Sequence, residues 1–294
     1  MVRGFVLSLV LLATWSSLFI CLLSYGTSVT DFYENRAGLD TQVLAQELKK
    51  RSSLWQEYVL LDEVDSTNEF IKKMEKKEGL FVLANFQTKG KGRQNRSWIA
   101  PKNSSIFISI CLKPNKNGNT AWIPLLTSLA LFRSLEALTN ENIKIKWPND
   151  LVLIKNNEQF KFSGILVEMI EDYAIVGVGI NYNQKNEELP ITNATSLRTL
   201  LNSEILKEEI IASFVSELAA LWHEENLATT WPTKASIRDY KSNCVTIGQD
   251  INAQLVDKEI IQGTVIDVLD SGELQVKTEL KTLKLTSADI TLSH

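Results

Sequence analysis

Five short stretches carry residues whose types and spacing could do chemistry. From Gly90 to Trp98 the chain reads G-K-G-R-Q-N-R-S-W. Two glycines one residue apart let a backbone approach a ligand closely or take positive φ, and Lys91, Arg93 and Arg96 supply cationic donors suited to phosphate or carboxylate. No Gly-Lys-Ser/Thr follows, so this is not a Walker loop. Taken alone, a solvated basic turn is the commoner origin of such a stretch.

K-W-P-N-D, Lys146 to Asp150, places a proline-fixed turn between two apolar runs. Asn149 could read a base or amide edge there, and Asp150 could receive a proton or orient an incoming amine; a charged pair at two strand ends is the plain alternative. K-F-S-G-I-L-V-E, Lys161 to Glu168, sets a lysine just before a glycine that opens an apolar strand, where its ammonium can point into a cleft or simply sit at an edge. G-V-G-I-N, Gly177 to Asn181, ends an apolar strand on an amide, and Ser66-Thr67-Asn68 adds two hydroxyls and a further amide.

The elements that must position these groups follow from periodicity. Leu39, Val43, Leu44 and Leu48 repeat at helical spacing over residues 39 to 54, with Lys49, Lys50 and Arg51 near the C-terminal end, where the helix dipole favours cations. Strands are expected at Tyr58 to Leu61, Leu80 to Asn85 and Ser105 to Leu112, the last on the alternation of Ile106, Ile108 and Ile110. Ser66 to Lys77 reads as a helix with Glu69 in capping-box register to Ser66, and Pro124 to Leu138 and residues 202 to 226 read as longer helices. Ile143 to Trp147, Leu151 to Ile154, and a hairpin of Gly164 to Ile170 with Ala174 to Ile180 add strands that adjoin strands. An α+β mixed sheet packed with helices is therefore expected over a doubly wound parallel one. After Tyr240 short alternating runs, Val245 to Ile247, Gln262 to Leu269, Gly272 to Lys277 and Thr282 to Leu285, predict a small β-barrel. The expected division is a segment at 1–30, a helical lead-in at 31–57, a catalytic domain at 58–235 and a barrel domain at 236–294.

Composition narrows the chemistry. The 294 residues carry 31 Lys and Arg against 35 Asp and Glu, a formal charge of −4, so nothing advertises general nucleic-acid affinity. Cys21, Cys111 and Cys244 are too few and too scattered for a disulfide framework or a metal knuckle, and His223 and His294 give a histidine triad almost no material. Lys, Arg, Asp, Asn and backbone groups must do the work, with no metal held by side chains.

In order and spacing, S-T-N, G-K-G-R, K-W-P-N-D, K-F-S-G-I-L-V-E and G-V-G-I-N resemble the biotin–protein ligase family throughout residues 60 to 185, and the barrel-like tail matches it too. The resemblance implies a class II synthetase-like catalytic domain with an SH3-like appendage. It also implies formation of biotinoyl-adenylate from biotin and ATP with Mg²⁺, and transfer of biotin to a lysine of a biotin carboxyl carrier protein, such as that of acetyl-CoA carboxylase. Ser66, Thr67, Asn68 and Gln87 would then hold the ureido and thiophene end of biotin, and Gly90, Lys91, Gly92 and Arg93 would close over its carboxyl group. Arg96 would reach phosphates with Lys91 and Arg93, Trp98 would pack near the nucleotide, Asn149 and Asn181 would face adenine, and Lys161 would sit beside the reacting carboxylate. Lys161, Arg93 and Asp150 are the implied catalytic set. Two departures stand out: Lys91 occupies a position where arginine is frequent, losing bidentate geometry, and Gln94-Asn95 replaces Arg-Gly. The nearest rivals are lipoate or octanoate ligases and transferases of the related fold, and a non-enzymatic adaptor.

Only about 30 residues separate the apolar run near the N-terminus from Tyr58, too few for a winged helix when domains usually exceed roughly 50 residues, so a short form without DNA binding is expected. That run, Phe5 to Leu23 after Arg3, is long enough to span a bilayer. It reads as a membrane anchor, as a translated stretch upstream of a true start near Val29, or as a signal peptide. The expected location is cytoplasmic, with membrane contact only through this segment, and a homodimer is compatible with the sequence.

Overall fold

The structure, a computed structural model, describes residues 36–116, 118–191, 193–200, 205–256 and 258–292; the apolar segment and its three readings lie outside the described residues. Helix α1 (Thr41–Lys50) begins at Asp40, whose carboxylate accepts from the backbone N–H groups of Gln42 and Val43 at 2.7 and 3.1 Å, and it buries Leu44 and Leu48, one turn apart. Strand β1 (Tyr58–Leu61) leads through α2 (Thr67–Ile71) to β2 (Phe81–Ala84), which pairs with β1 in parallel. Helix α2 is shorter than its sequence suggests, and the capping box does not form. The first free donor of the helix, the N–H of Thr67, is met by Gln87 Oε1 at 2.7 Å, and the Glu69 side chain turns outward to Lys72 and Lys91.

A two-residue-strand hairpin, β3 (Gly90–Lys91) with β4 (Ser97–Trp98), carries the basic loop. Beyond it lie β5 (Ser105–Leu112), helix α3 (Ile123–Glu136), β6 (Ile143–Lys146), β7 (Asp150–Lys155), β8 (Glu158–Ile170) and β9 (Tyr173–Asn181). They join β1 and β2 in a seven-stranded sheet of order β1-β2-β5-β9-β8-β7-β6, antiparallel throughout except at β1–β2, which is the mixed sheet expected.

Because successive side chains of a strand point to opposite faces, this sheet separates two jobs. Phe81, Leu83, Ile106, Ile108, Ile110, Val176 and Val178 join the main core with α3 and with helix α4 (Lys207–Leu227). Ser109, Gly177 and Gly179 stand on the opposite phase and face the other way, as do the apolar Val82 and Phe107, which join smaller clusters there. Helix α3 is buried on nearly every side, and Thr127 and Ser128 return their hydroxyls to the carbonyls of Ile123 and Pro124 at 2.8 Å each, so no polar group is stranded.

After α5 (Lys234–Asn243) the expected strand at Val245 to Ile247 is a turn, because Val245 and Thr246 bond to β6 and its neighbour instead: Val245 N–H donates to Ile145 O at 2.9 Å and Thr246 Oγ1 accepts from Trp147 N at 3.0 Å. Strands β10 (Asp250–Gln254), β11 (Ile260–Val268), β12 (Leu274–Lys277), β13 (Thr282–Leu285) and β14 (Asp289–Leu292) form an antiparallel sheet of order β13-β12-β11-β10-β14. Its pairing is open among the described residues, so it is a sheet and not a closed barrel. The turn at Asp270 to Gly272 anchors it: the indoles of Trp122 and Trp147 donate to Asp270 O and Gly272 O at 2.7 and 3.1 Å. Among the described residues no helix is long and apolar enough to cross a membrane.

Candidate active site

Residues of β8 and β9, with Phe107 of β5, floor a cleft of about 980 Å³, walled by the basic loop, by the turn between β6 and β7, and by Ala288 to Leu292 of the C-terminal sheet. At one end α2 delivers Thr67 and Asn68, both about 4% exposed. Gln87 Oε1 receives the Thr67 N–H and lies 3.0 Å from Thr67 Oγ1; Ser109 Oγ lies 2.7 Å from Thr67 Oγ1 and 2.6 Å from Asn68 Oδ1. The Asn68 amide donates to Glu168 at 2.8 Å, and Glu168 also pairs with Lys72 at 2.6 Å.

Two glycine seats make room. Gly164 and Gly179 are register partners on β8 and β9, and a Cβ on either would press into the Trp98 indole. Trp98 therefore lies on a floor of backbone, with its Nε1 donor unspent and Lys161 Nζ 6.0 Å from its ring centre. A Cβ on Gly177 would overlap Asn68 Oδ1, so that glycine is what lets α2 bring its amide down to the sheet.

The basic loop turns through Gln94 and Asn95, both left-handed at φ 53° and 59°; asparagine tolerates this readily, glutamine less so. Its cations are tied to different parts of the molecule. Lys91 pairs with Glu69 at 2.6 Å; Arg93 donates to Asn149 Oδ1 at 2.7 Å and to Ser287 Oγ; Arg96 pairs with Asp289 at 2.7 Å. The hydrogen bonds from Lys91 and Lys72 hold the Glu69 carboxyl below the usual carboxylate range. Burial pulls the Arg93 pKa down, against the attraction of Asp150 and Asp289.

Across the cleft, Trp147-Pro148 is a cis peptide, and Asn149 is buried with its amide donating to Ile165 O at 2.7 Å. Lys161 meets Asp150 at 2.7 Å. Lys146, the register partner of Asp150, also lines the cleft, and burial lowers its pKa. Asn181 donates to Thr195 O at 3.1 Å from the far end of β9. The arrangement offers neutral hydrogen-bonding groups at one end and fixed cations at the other, with an indole between them, a shape suited to an uncharged polar head joined to an anion. Among the described residues no group of three or more His, Cys, Asp or Glu could hold a metal ion.

Residues 60–181 match the model of the biotin/lipoate A/B protein ligase family. The biotin–[acetyl-CoA-carboxylase] ligase of Mycobacterium tuberculosis is 28% identical over 274 residues, covering 89% of this chain and 98% of that protein. The bifunctional ligase/repressor BirA of Escherichia coli is 29% identical over 247 residues, covering 76% of this chain and 74% of its own. Among solved structures, the biotin protein ligase of Aquifex aeolicus in complex with biotin and ATP superposes with a TM-score of 0.71 at 26% identity, covering 81% of this chain and 99% of that one. In sequence and in fold the chain is similar to biotin protein ligases.

Of the residues that the family resemblance nominates, the fold gathers Ser66, Thr67, Asn68, Gln87, Lys91, Gly92, Arg93, Arg96, Trp98, Asn149, Asp150, Lys161 and Asn181 around one cleft. Gly90 is the exception: it sits in β3 with its α-carbon against the Trp98 carbonyl and faces the hollow on the loop's other flank. Seven residues with a place in the cleft or its support went unnominated: Lys146, Glu69, Lys72, Ser109, Glu168, Ser287 and Asp289. Lys146 and Glu168 stand inside the motifs themselves, and Ser109 is a polar residue on the cleft-side phase of an isoleucine alternation, so a signal existed for these three. Ser287 and Asp289 carried none, lying about 190 residues beyond the loop they hold.

Proposed function

We propose that this chain is an ATP-dependent biotin–protein ligase that forms biotinoyl-adenylate and then passes biotin to a lysine of a carboxylase carrier protein, of the kind named for the Mycobacterium tuberculosis relative. The observation that carries the reading is the division of a single cleft into a neutral, hydrogen-bonding end at Thr67, Asn68 and Gln87 and a cationic end at Arg93, Lys146 and Lys161. Biotin's ureido ring meets the first, and its carboxylate, beside the α-phosphate, meets the second. Trp98, seated on Gly164 and Gly179, stacks along the nucleotide, and Asn149 and Asn181 face the adenine side. The C-terminal sheet is the SH3-like unit of such an enzyme, and its Ala288 to Leu292 edge closes one wall.

The carboxylate oxygen attacks the α-phosphorus, a new P–O bond forms, and the bond to pyrophosphate breaks. Negative charge grows on phosphate oxygens during this step, and Arg93, Arg96 and Lys161 are the cations placed to receive it. Magnesium would come with ATP and offset its phosphate charge; Asp150 and Asp289 stand ion-paired to Lys161 and Arg96. No side chain needs to act as a covalent nucleophile. The acceptor lysine then attacks the mixed anhydride and expels AMP, with Asp150 placed to orient that amine, while the basic loop keeps water from a hydrolysable intermediate.

Biotin-dependent exchange of labelled pyrophosphate into ATP, followed by biotin incorporation into a carrier domain, tests this. Exchange with biotin and transfer to the carrier are expected. Exchange driven by lipoate or octanoate in place of biotin would overturn the substrate, and no exchange with any acid would overturn the chemistry.

A further inference from the structure

The carboxylates at the cationic end of the cleft are already committed. Asp150 meets Lys161 at 2.7 Å, and Asp289 meets Arg96 at 2.7 Å. Glu158 also lines the cleft, but it pairs in register with Lys155 at the hairpin end of β7, away from Asp150 at the strand's start. Among the described residues no histidine lines the cleft. Lys146 stands apart from these groups. It is the register partner of Asp150 across the turn from β6 to β7, which puts the two side chains on one face of the sheet. Asp150 nevertheless turns to Lys161, and among the described residues the Lys146 ammonium has no ion-pair or hydrogen-bond partner. Burial lowers its pKa, opposed by Asp150 on β7 and Asp289 on β14 and assisted by Lys161 on β8. Behind β6, where Ile145 bridges to Cys244, burial pushes the Cys244 thiol and the Tyr240 hydroxyl of α5 up, so neither supplies an anion. An opposite charge nearby helps a buried ammonium keep its proton. In the cleft as read above, that charge is biotin's carboxylate. Adenylation turns the carboxylate into an anhydride, so the first step removes the counter-ion of Lys146 just before a step that must dispose of a proton.

We infer that Lys146 is the base of the transfer step: its neutral amine takes the proton that the acceptor lysine loses as it attacks the mixed anhydride. The acceptor nitrogen forms a C–N bond to the carboxyl carbon, and the C–O bond to the phosphate breaks. AMP leaves with that electron pair, and the proton held on Lys146 returns to solvent once the products have gone. The inference rests on the reading of this cleft as a biotin ligase site and deepens it by dividing the second half-reaction between two neighbours. Asp150 orients the incoming amine, and Lys146 discharges it. Lys161 is unsuited to this part, because its ion pair with Asp150 keeps it charged.

Measuring the two half-reactions separately on the full chain tests the inference. Biotin-dependent pyrophosphate exchange reports the first; single-turnover transfer from preformed biotinoyl-adenylate to a carrier domain, followed across pH, reports the second. Lys146→Arg keeps the positive charge but offers no neutral base, since arginine stays protonated. Transfer is expected to fall about 10²-fold or more beyond any loss of exchange, the scale of general-base catalysis. On the acidic side, transfer by the unsubstituted chain should climb with the loss of two protons, one from the acceptor amine and one from Lys146. In Lys146→Arg it should climb with the loss of one. Equal losses in the two half-reactions, or an unchanged slope against pH, would overturn the inference. If Lys146→Arg failed to fold, Lys146→Gln carries the same expectation, and the unsubstituted chain's slope in that variant would overturn it alone. Absence of exchange by the unsubstituted chain would instead sink the reading of the cleft, a different result from any of these.

Discussion

The two ends of the cleft are built on opposite principles. The neutral end is buried: Thr67, Asn68 and Ser109 are at most 4% exposed, and their partners lie on the adjoining α2, β5 and β8. The cationic loop is open at Lys91 and Arg96, whose side chains are 50% and 57% exposed, while Arg93 is largely buried; the three cations are held by α2, by the β6–β7 turn and by the C-terminal sheet. Buried neutral groups hold their directions because an unmatched one costs about 1–3 kcal/mol. Exposed ion pairs are worth about 0–1 kcal/mol, so the loop can exchange its carboxylate partners for phosphate at little cost. Recognition is assigned to the rigid end and charge stabilisation to the adjustable one.

Lys161 should break this comparison most completely, since it belongs to the cationic end yet stands on the sheet. Lys161→Ala is expected to lower adenylate formation about 10²–10³-fold, the usual cost of removing one preorganised charge from a transition state. Biotin binding without ATP, which loses one contact to the carboxylate, should weaken by only about tenfold, and the melting midpoint should stay close to the parent. Equal losses of binding and turnover would show that the two ends are not separable. Arg93→Lys comes next: lysine keeps the charge but cannot donate to Asn149 and Ser287 as a fork, and pyrophosphate exchange should fall about 10- to 100-fold, the worth of one charged hydrogen bond.

Much of the rigid end could be read from the chain itself. Period-2 alternation assigned Ile106, Ile108 and Ile110 to the core and left the intervening positions for the cleft, and the glycines of G-V-G-I-N proved to be the seats of Asn68 and Trp98. The loop was legible only in composition. Its cations could be named, but which carboxylate each one meets depends on chain segments far apart in sequence, and Asp289 is 193 residues from Arg96. Local rules misled at α2 as well: the capping pattern was present, but the Ser66 side chain caps no backbone N–H, and the first-turn N–H of Thr67 is met by Gln87, arriving from 20 residues away.

Gly177→Ala sharpens the contrast from the rigid side. A methyl group there meets the Asn68 carbonyl, which has no free side to move to, being fixed by Ser109 and Glu168. Overpacking of this kind costs about 1–3 kcal/mol. A lower melting midpoint and roughly tenfold weaker biotin binding are expected together, with maximal turnover at saturating biotin little altered. An alanine variant that bound biotin like the parent would mean that Asn68 can yield, and the floor would not be the fixed element described.

The smallest effect belongs to Asp289→Asn. The substitution keeps the shape of the side chain and removes its charge, so Arg96 loses its ion-pair partner while the cleft wall stays in place. Arg96 is 57% exposed and Asp289 31%, and the pair is worth about 0–1 kcal/mol, or at most about a fivefold change in an equilibrium. With its arginine freed from a competing carboxylate, the loop should meet ATP phosphates somewhat more readily, giving a KM for ATP a few-fold lower at low salt with kcat nearly unchanged. Because the screening length shrinks from about 10 Å at 0.1 M salt to about 3 Å at 1 M, the difference should fade as salt is raised. Biotin affinity should not move at any ionic strength. A salt-independent change, or one in biotin binding, would show that Asp289 is part of the rigid architecture and that the loop's partners are not exchangeable.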